Sequence, residues 1–107
     1  MVSLATMPSL FLVHCGYYDR DAFDGVFEAH ADLFVVAEDF AGAKAQVKKH
    51  PEFGRRKMHV DGMLRVDAVD GHRLELVTDE SLAGATKTER APGTWRMLNA
   101  KAKPAGG

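Results

Sequence analysis

An alternating stretch in the second half of the chain constrains the fold more than any other feature. From residue 58 to residue 68, small or apolar residues occupy the even positions, whereas Arg65 and Asp67 hold odd ones. A repeat of two is the pattern of a β-strand with one buried face. A second strand, His72 to Val77, follows Asp70-Gly71. We therefore predict a β-hairpin over residues 58–78.

The loop length of this hairpin sets which residues pair. A two-residue Asp70-Gly71 turn would mix apolar and charged side chains on both faces, whereas a three-residue loop with Gly71 in the left-handed conformation aligns them. The aligned register pairs Val66 with Leu74, Leu64 with Leu76, Arg65 with Glu75 and Asp67 with Arg73. Opposite-charge pairs of this kind stabilise a sheet by about 0.2–1 kcal/mol each. We therefore predict a loop of residues 69–71, with the four charges acting as cross-strand pairs.

Two further strands precede the hairpin. Leu10 to Cys15 is apolar on both faces, which predicts a central strand. From Val26 to Ala37 the odd positions after Val26 are all apolar, whereas Glu28, His30 and Asp32 lie on the other face. This pattern predicts a half-buried second strand.

A short helix is predicted between the second and third strands. Asp39 suits the N-cap position, and Phe40, Ala43 and Val47 then share one helical face. Pro51 ends the helix, and residues 52–57 are expected to form a loop.

These elements predict an α+β fold of order ββαββ. The right-handed crossover gives a four-stranded antiparallel sheet of order 2-1-3-4, with one helix on one face. The other face presents an apolar patch that a soluble monomer does not leave bare. Its members are Leu10, Leu12, Phe34, Val36 and Met63. Either the C-terminal segment or a second subunit must cover this patch, and we expect a homodimer.

The chain divides into a compact domain, residues 9–78, and a C-terminal extension, residues 79–107. Residues 79–90 are polar with weak helical character, and Thr94 suits the cap of a short helix bearing Trp95 and Leu98. Residues 100–107 have nothing to bury and are predicted to be disordered.

Composition excludes several function classes. The chain has 107 residues and a formal charge of −1, from 14 basic and 15 acidic side chains, so no global field attracts nucleic acid or membrane. The single cysteine, Cys15, excludes an internal disulfide framework and fits a reducing compartment. No positive charge precedes the short apolar run at Leu10, and no stretch approaches the ~20 apolar residues of a membrane span. We expect a cytoplasmic protein without a membrane partner.

Three segments carry a family pattern. They are Leu-Phe-Leu-Val-His-Cys-Gly-Tyr-Tyr at 10–18, Phe-Val-Val-Ala-Glu-Asp-Phe-Ala-Gly-Ala-Lys at 34–44, and Met-His-Val-Asp-Gly at 58–62 followed by Val-Asp-Gly at 69–71. Together they resemble the domain of unknown function family numbered 1543. The resemblance implies a small bacterial α+β domain with no established activity, cofactor or catalytic residues.

The principal candidate site is a polar group on the face away from the helix. Glu28 and His30 form a pair on the second strand, and His59 and Asp61 form a pair on the third. If the even residues of the first strand share the face of the first pair, His14 lies between the two pairs. The candidates are His14, Glu28, His30, His59 and Asp61. Imidazoles and carboxylates so placed could bind a divalent metal or serve as acid and base, whereas strand ends also carry solvated polar residues.

Three other groups of residues are candidates for a functional role. Tyr17, Tyr18 and Phe23 form a candidate pocket loop, although aromatic residues beside a sheet edge commonly complete the core. Cys15 points away from His14 on the same strand, so this histidine cannot be its base.

The last of these groups is a candidate anion patch. It comprises Lys49, Arg55 and Arg56. A solvated basic loop is favoured over a nucleic-acid surface, because no nucleic-acid-binding signature accompanies the patch.

No stretch carries a specific catalytic or cofactor motif. We therefore expect a non-enzymatic binding or interaction module that acts on a small ligand or protein partner through the sheet face and the 16–27 loop. The alternative is a small enzyme, hydrolase-like or metal-dependent, that uses the His/Glu/Asp cluster. The sequence assigns neither a metal nor a cofactor.

Overall fold

The fold is a three-stranded sheet with a helix on one side, followed by a small separate hairpin. A computed structural model describes residues 7–19 and 25–92. Their elements are β1 (Ser9–Tyr18), β2 (Glu28–Ala37), α1 (Phe40–Val47), α2 (Pro51–Arg55), β3 (His59–Val66), β4 (Ala68–Val69), β5 (His72–Arg73) and a 3₁₀ turn (Glu80–Leu82). The α+β class is confirmed. Within those ranges no helix has the length and apolar character needed to span a bilayer.

The sheet has the order β2-β1-β3, and both neighbouring pairs are antiparallel. These three strands follow the predicted order, with β1 at the centre. The predicted fourth strand does not join them, because β4 and β5 form a two-stranded sheet of their own. The four-stranded sheet was therefore wrong in strand count and in its final position.

The hairpin turn has two residues rather than three. Val69 pairs with His72, and the two residues between them, Asp70 and Gly71, have φ of 51° and 79°. Two positive φ angles are what a type I′ turn requires, and Asp-Gly is among the dipeptides that favour it. The three-residue loop was wrong: Asp-Gly closes a two-residue turn, and the Leu74 N–H donates a 2.9 Å hydrogen bond to the Asp67 carbonyl oxygen, so a mixed pair that the longer loop would avoid does form.

The predicted cross-strand charge pairs are accordingly absent from this hairpin. Arg73 stands opposite Ala68. Arg65 instead donates a 2.8 Å hydrogen bond to the Glu38 carbonyl oxygen and lies 5.4 Å from the centre of the Phe11 ring. Its guanidinium therefore covers the edge of the core.

A β-bulge in β3 reverses its side-chain alternation. His14 pairs with Gly62 but Cys15 pairs with Val60, which leaves Asp61 as the extra residue. The single buried parity predicted for residues 58–68 was therefore wrong. Met63, opposite Val13, faces the helix side rather than the opposite face where it was expected.

The helix packs on the odd-numbered side of β1. Asp39 caps it as predicted, since its Oδ1 accepts a 2.7 Å hydrogen bond from the Gly42 backbone N–H. The core that α1 closes consists of Phe11, Val13, Cys15, Val35, Ala43, Val47 and Met58. A large apolar side chain buried in this way contributes about 1.5–3 kcal/mol.

Pro51 begins a second helix rather than ending the first, because α1 already ends at Val47. It stands at the first position of α2, where its missing N–H costs nothing, and His50 Nδ1 accepts a 3.1 Å hydrogen bond from the Glu52 N–H. The predicted loop 52–57 therefore contains one helical turn.

The side of the sheet opposite α1 is called the open face. Its apolar part consists of Leu10, Leu12, Phe34, Val36, Leu64 and Val66, as the strand register shows. Phe34, Val36 and Leu64 are 49%, 51% and 59% exposed. The expected apolar patch is present, with Leu64 and Val66 in place of Met63.

Candidate functional site

All five side chains of the predicted polar cluster come together on the open face. They lie beyond the apolar part, where β1 ends and β2 and β3 begin. Gly16 on β1 pairs with His30 on one side and with His59 on the other. Glu28 precedes His30 by two residues on β2, so both project to this face, and the bulge turns Asp61 toward them. Sheet register and bulge together assemble the cluster.

Two imidazoles and two carboxylates alternate in a closed ring. His30 Nε2 lies 2.9 Å from Glu28 Oε1 and 3.2 Å from Asp61 Oδ2. His59 Nε2 lies 2.9 Å from Glu28 Oε2 and 3.0 Å from Asp61 Oδ1. Each carboxylate therefore turns one oxygen toward each histidine.

The four side chains of the ring are partly buried but remain accessible to solvent. The side chains of Glu28 and Asp61 are 30% and 31% exposed, and those of His30 and His59 are 40% and 47% exposed. Ion pairs with this exposure contribute about 0–1 kcal/mol to folding. An ion can reach the ring from solvent, and the ring itself adds little to stability.

Gly16 supplies the floor of the ring. A Cβ on Gly16 would stand 2.6 Å from Asp61 Oδ2, 2.7 Å from His59 Nε2 and 2.9 Å from Glu28 Oε2. Real Cβ atoms do not approach other heavy atoms so closely, so this cluster closes only over a glycine. Gly16, rather than His14, is the residue between the two pairs, and it was not among the predicted site residues.

His14 stands beside the ring and is held by a residue that was not predicted. Its Nδ1 lies 2.7 Å from Asp32 Oδ1, and its ring stacks on that of His30 with centroids 4.7 Å apart and planes 8° apart. Asp32 lies two residues after His30 on β2, so the alternation alone predicts that both side chains share one face. Only the register with β1 shows that Asp32 stands opposite His14.

The donor atoms suit a divalent transition metal. Imidazole nitrogen and carboxylate oxygen are common zinc ligands, and a tetrahedral centre with bonds of about 2.0–2.1 Å keeps its donors about 3.3 Å apart. The contacts of 2.9–3.2 Å in the ring are close to this separation. Two sets of three donors, with all atoms of a set within 4.8 Å, share Asp61: His14, His30 and Asp61, and Glu28, His59 and Asp61.

Cys15 does not belong to this site. It is fully buried on the helix side of β1, opposite the cluster. Burial raises the pKa of its thiol, and the negative charges of Asp61 and Asp32 raise it further. A thiol held protonated in the core is a packing group rather than a nucleophile.

The predicted anion patch is divided between two places. Arg55 and Arg56 both pair with Glu52, whose pKa is lowered by their hydrogen bonds, and the Arg56 guanidinium lies 4.9 Å from the centre of the Tyr17 ring. These arginines line a cavity of about 360 Å³ with Tyr17, Tyr18, Asp19 and Lys57. Lys49 lines a different cavity. The positive charge of Arg55 and Arg56 is therefore partly neutralised by Glu52.

The candidate pocket loop is only partly described. Tyr17 and Tyr18 line the cavity beside the arginines, and Tyr18 is 59% exposed. Phe23 lies outside the described residues. The contribution of the whole loop to a pocket therefore stays a prediction.

Comparison with known proteins gives a match to a protein family. Residues 25–76 match the model of the family described as Domain of Unknown Function (DUF1543). The matched range includes Glu28, His30, His59 and Asp61, whereas His14 and Gly16 precede it. Neither a curated protein nor a solved structure shows significant similarity to the chain.

Proposed function

The chain contains a DUF1543 domain over residues 25–76, a family without an assigned activity, and from the geometry of the cluster we propose that the chain binds a divalent transition-metal ion. The binding groups are Glu28, His30, His59 and Asp61. A zinc-class ion suits them, because it accepts mixed nitrogen and oxygen ligands. The function proposed is thus a binding module that acts through the open face.

The observation that carries this proposal is the convergence of four donor side chains over a glycine. Surface histidines and carboxylates that serve only solubility do not need a glycine beneath them. Here three donor atoms occupy the space that any Cβ at Gly16 would take. Metal ions are ligands that hold nitrogen and oxygen donors of this kind close together, and their binding replaces the imidazole Nε2 protons.

The first test compares two double variants that remove the same charge. Glu28→Gln with Asp61→Asn removes both ring carboxylates, whereas Asp67→Asn with Glu75→Gln removes two exposed carboxylates outside the ring. Isothermal titration of the full chain with Zn²⁺ measures each affinity. We expect the ring variant to lose at least about tenfold, since even outer-shell partners of a metal contribute about 10–100-fold.

The control double variant should bind zinc as the unmodified chain does. Thermal unfolding of both variants, followed by circular dichroism, checks that they fold. Equal affinities for zinc in the two folded variants would refute the proposed site, as would an unmodified chain that takes up no zinc.

The enzyme alternative stays a prediction. The His14–Asp32 pair favours it, since a carboxylate that orients an imidazole is the arrangement of an acid–base group. Three cavities in the described part of the chain are lined by other residues, and the four ring side chains are 30–47% exposed, whereas catalytic groups commonly line a pocket. For this reason binding, rather than catalysis, is the function proposed.

A further inference from the structure

We infer that the cluster holds two metal ions, bridged by Glu28 and Asp61, rather than one. This inference rests on the proposed function and specifies its stoichiometry. The two ions occupy two halves of the ring, one at His30 and the other at His59. Ions in two-metal sites are typically about 3.5–4 Å apart, a separation that bridging carboxylates span.

The carboxylate oxygens divide between the two histidines. Glu28 Oε1 and Asp61 Oδ2 are the oxygens nearest His30, whereas Glu28 Oε2 and Asp61 Oδ1 are those nearest His59. A single ion would draw one oxygen of each carboxylate, and both imidazoles, to the same point. The observed division instead defines two donor sets, each with one nitrogen and two oxygens.

His14 adds a second nitrogen to the His30 half. An ionised carboxylate only accepts hydrogen bonds, so Asp32 requires the proton of His14 to be on Nδ1, 2.7 Å away. The lone pair of the neutral ring is then on Nε2, free to bind metal. Histidines that ligate metals commonly donate their other N–H to a carboxylate in this way.

Asp61 belongs to both of the closest sets of three donors, as a bridging carboxylate does. His14, His30 and Asp61 form one set within 4.8 Å, and Glu28, His59 and Asp61 form the other. The rings of His14 and His30 are stacked neighbours, with centroids 4.7 Å apart and planes that differ by 8°. The Asp32–His14 pair is therefore a positioning device for the first ion alone.

Native mass spectrometry of the full chain in saturating Zn²⁺ tests the stoichiometry. We expect two zinc ions in the unmodified chain and in His72→Gln, which alters an exposed histidine outside the cluster. His30→Gln and His59→Gln should each retain one ion, because each removes the nitrogen of one half. Asp32→Asn should keep both sites but weaken the first zinc site by about 10–100-fold.

The outcomes separate the two proposals. One ion in the unmodified chain, or loss of every ion in either single-histidine variant, overturns the two-ion inference and leaves the binding site standing. No ion in the unmodified chain overturns the proposed function as well. Two ions in both His30→Gln and His59→Gln would assign the zinc to other groups and overturn both.

A second readout does not depend on variants. Cu²⁺ binds imidazole sites strongly and is paramagnetic. Two copper ions about 3.5–4 Å apart give the half-field electron paramagnetic resonance transition of a coupled pair. Copper-loaded chain that shows only the spectrum of isolated ions contradicts the bridged pair.

Discussion

Gly16 is the residue on which the geometry of the site depends most. It lies on the central strand, with His30 and His59 on its two neighbours. Three donor atoms from the flanking strands meet above it at distances that exclude a methyl group. The absence of a side chain at Gly16 thus permits side chains from the two neighbouring strands to converge.

Substitution of Gly16 by Ala should therefore damage the site more than the fold. The added methyl group must displace three donor atoms, so we expect zinc affinity to fall at least about tenfold, as for a lost metal partner. Overpacking should lower the free energy of unfolding by about 1–3 kcal/mol. Zinc titration and urea unfolding measure the two effects.

The matched control is Gly54→Ala, at a position in α2 where an added Cβ meets no atom within 4 Å. It should bind zinc normally and unfold at the same or a slightly higher urea concentration, since alanine favours a helix. If Gly16→Ala binds zinc as tightly as Gly54→Ala, the convergence over Gly16 does not matter for binding.

At the residue scale, side-chain parity predicted the five cluster members only together with an assumed alignment of the first two strands. Parity is a local property of an extended chain, so Glu28 and His30 could be assigned to one face before any pairing was known, whereas the strand register alone shows that His14 shares that face. Asp32 and Gly16 were missed as site residues because their importance comes from what stands opposite them. That depends on strand register, which the long connection between β1 and β2 left undetermined.

Elements of the chain differ in how far local signals determine them. The cap of α1 is local: Asp39, three residues before Gly42, places its carboxylate on a free N–H. The bulge at Asp61 depends on pairing with β1, which is distant in sequence, and it reversed the predicted facing of Met63. The turn between Val69 and His72 is local, and its Asp-Gly dipeptide favours two residues over the predicted three-residue loop.

Removal of the α1 cap should destabilise the domain measurably. Asp39→Ala leaves the Gly42 N–H without its partner, and we expect a loss of about 0.5–2 kcal/mol in the free energy of unfolding by urea. Asp39→Asn keeps an N-cap of comparable quality and should stay close to the unmodified chain. Equal losses in both variants would mean that the carboxylate charge, rather than the cap, is what stabilises α1.

On the scale of the whole molecule, the residues that the structure describes cover the sheet on one face only. α1 closes the core, whereas the open face leaves Phe34, Val36 and Leu64 about half exposed. Described residues of the C-terminal extension, 79–92, are all exposed, so they bury little of themselves against it. Gly84 to Thr86 line a cavity together with Leu10, Phe34 and Val36, so this part of the extension lies beside the open face without burying it.

The homodimer expected from the sequence stays a prediction, and the apolar part of the open face is its proposed interface. A second copy offers the same apolar surface and makes a self-complementary contact. Light scattering coupled to size exclusion should give twice the chain mass. Phe34→Lys with Leu64→Lys should give the monomer, because a lysine on each side of β1 would have to be buried.

The control for the dimer is Val77→Lys, an apolar residue that is 85% exposed and lies outside the open face. It should keep the dimeric mass. An unmodified chain with the mass of a monomer would contradict the predicted homodimer, and a dimer that persists with both lysines would place the interface elsewhere.

Sequence alone determined which segments extend, where the helix begins, and which polar side chains share a face, because periodicity and capping act within a few residues. Tertiary structure alone decided the register between β1 and β2, the register between β1 and β3, and the bulge that turns Asp61 toward the histidines. Each of these is a long-range pairing, in which hydrogen bonds between distant strands outweigh the local pattern. The candidate metal site belongs to both levels: its residue types are local, and its convergence over Gly16 is tertiary.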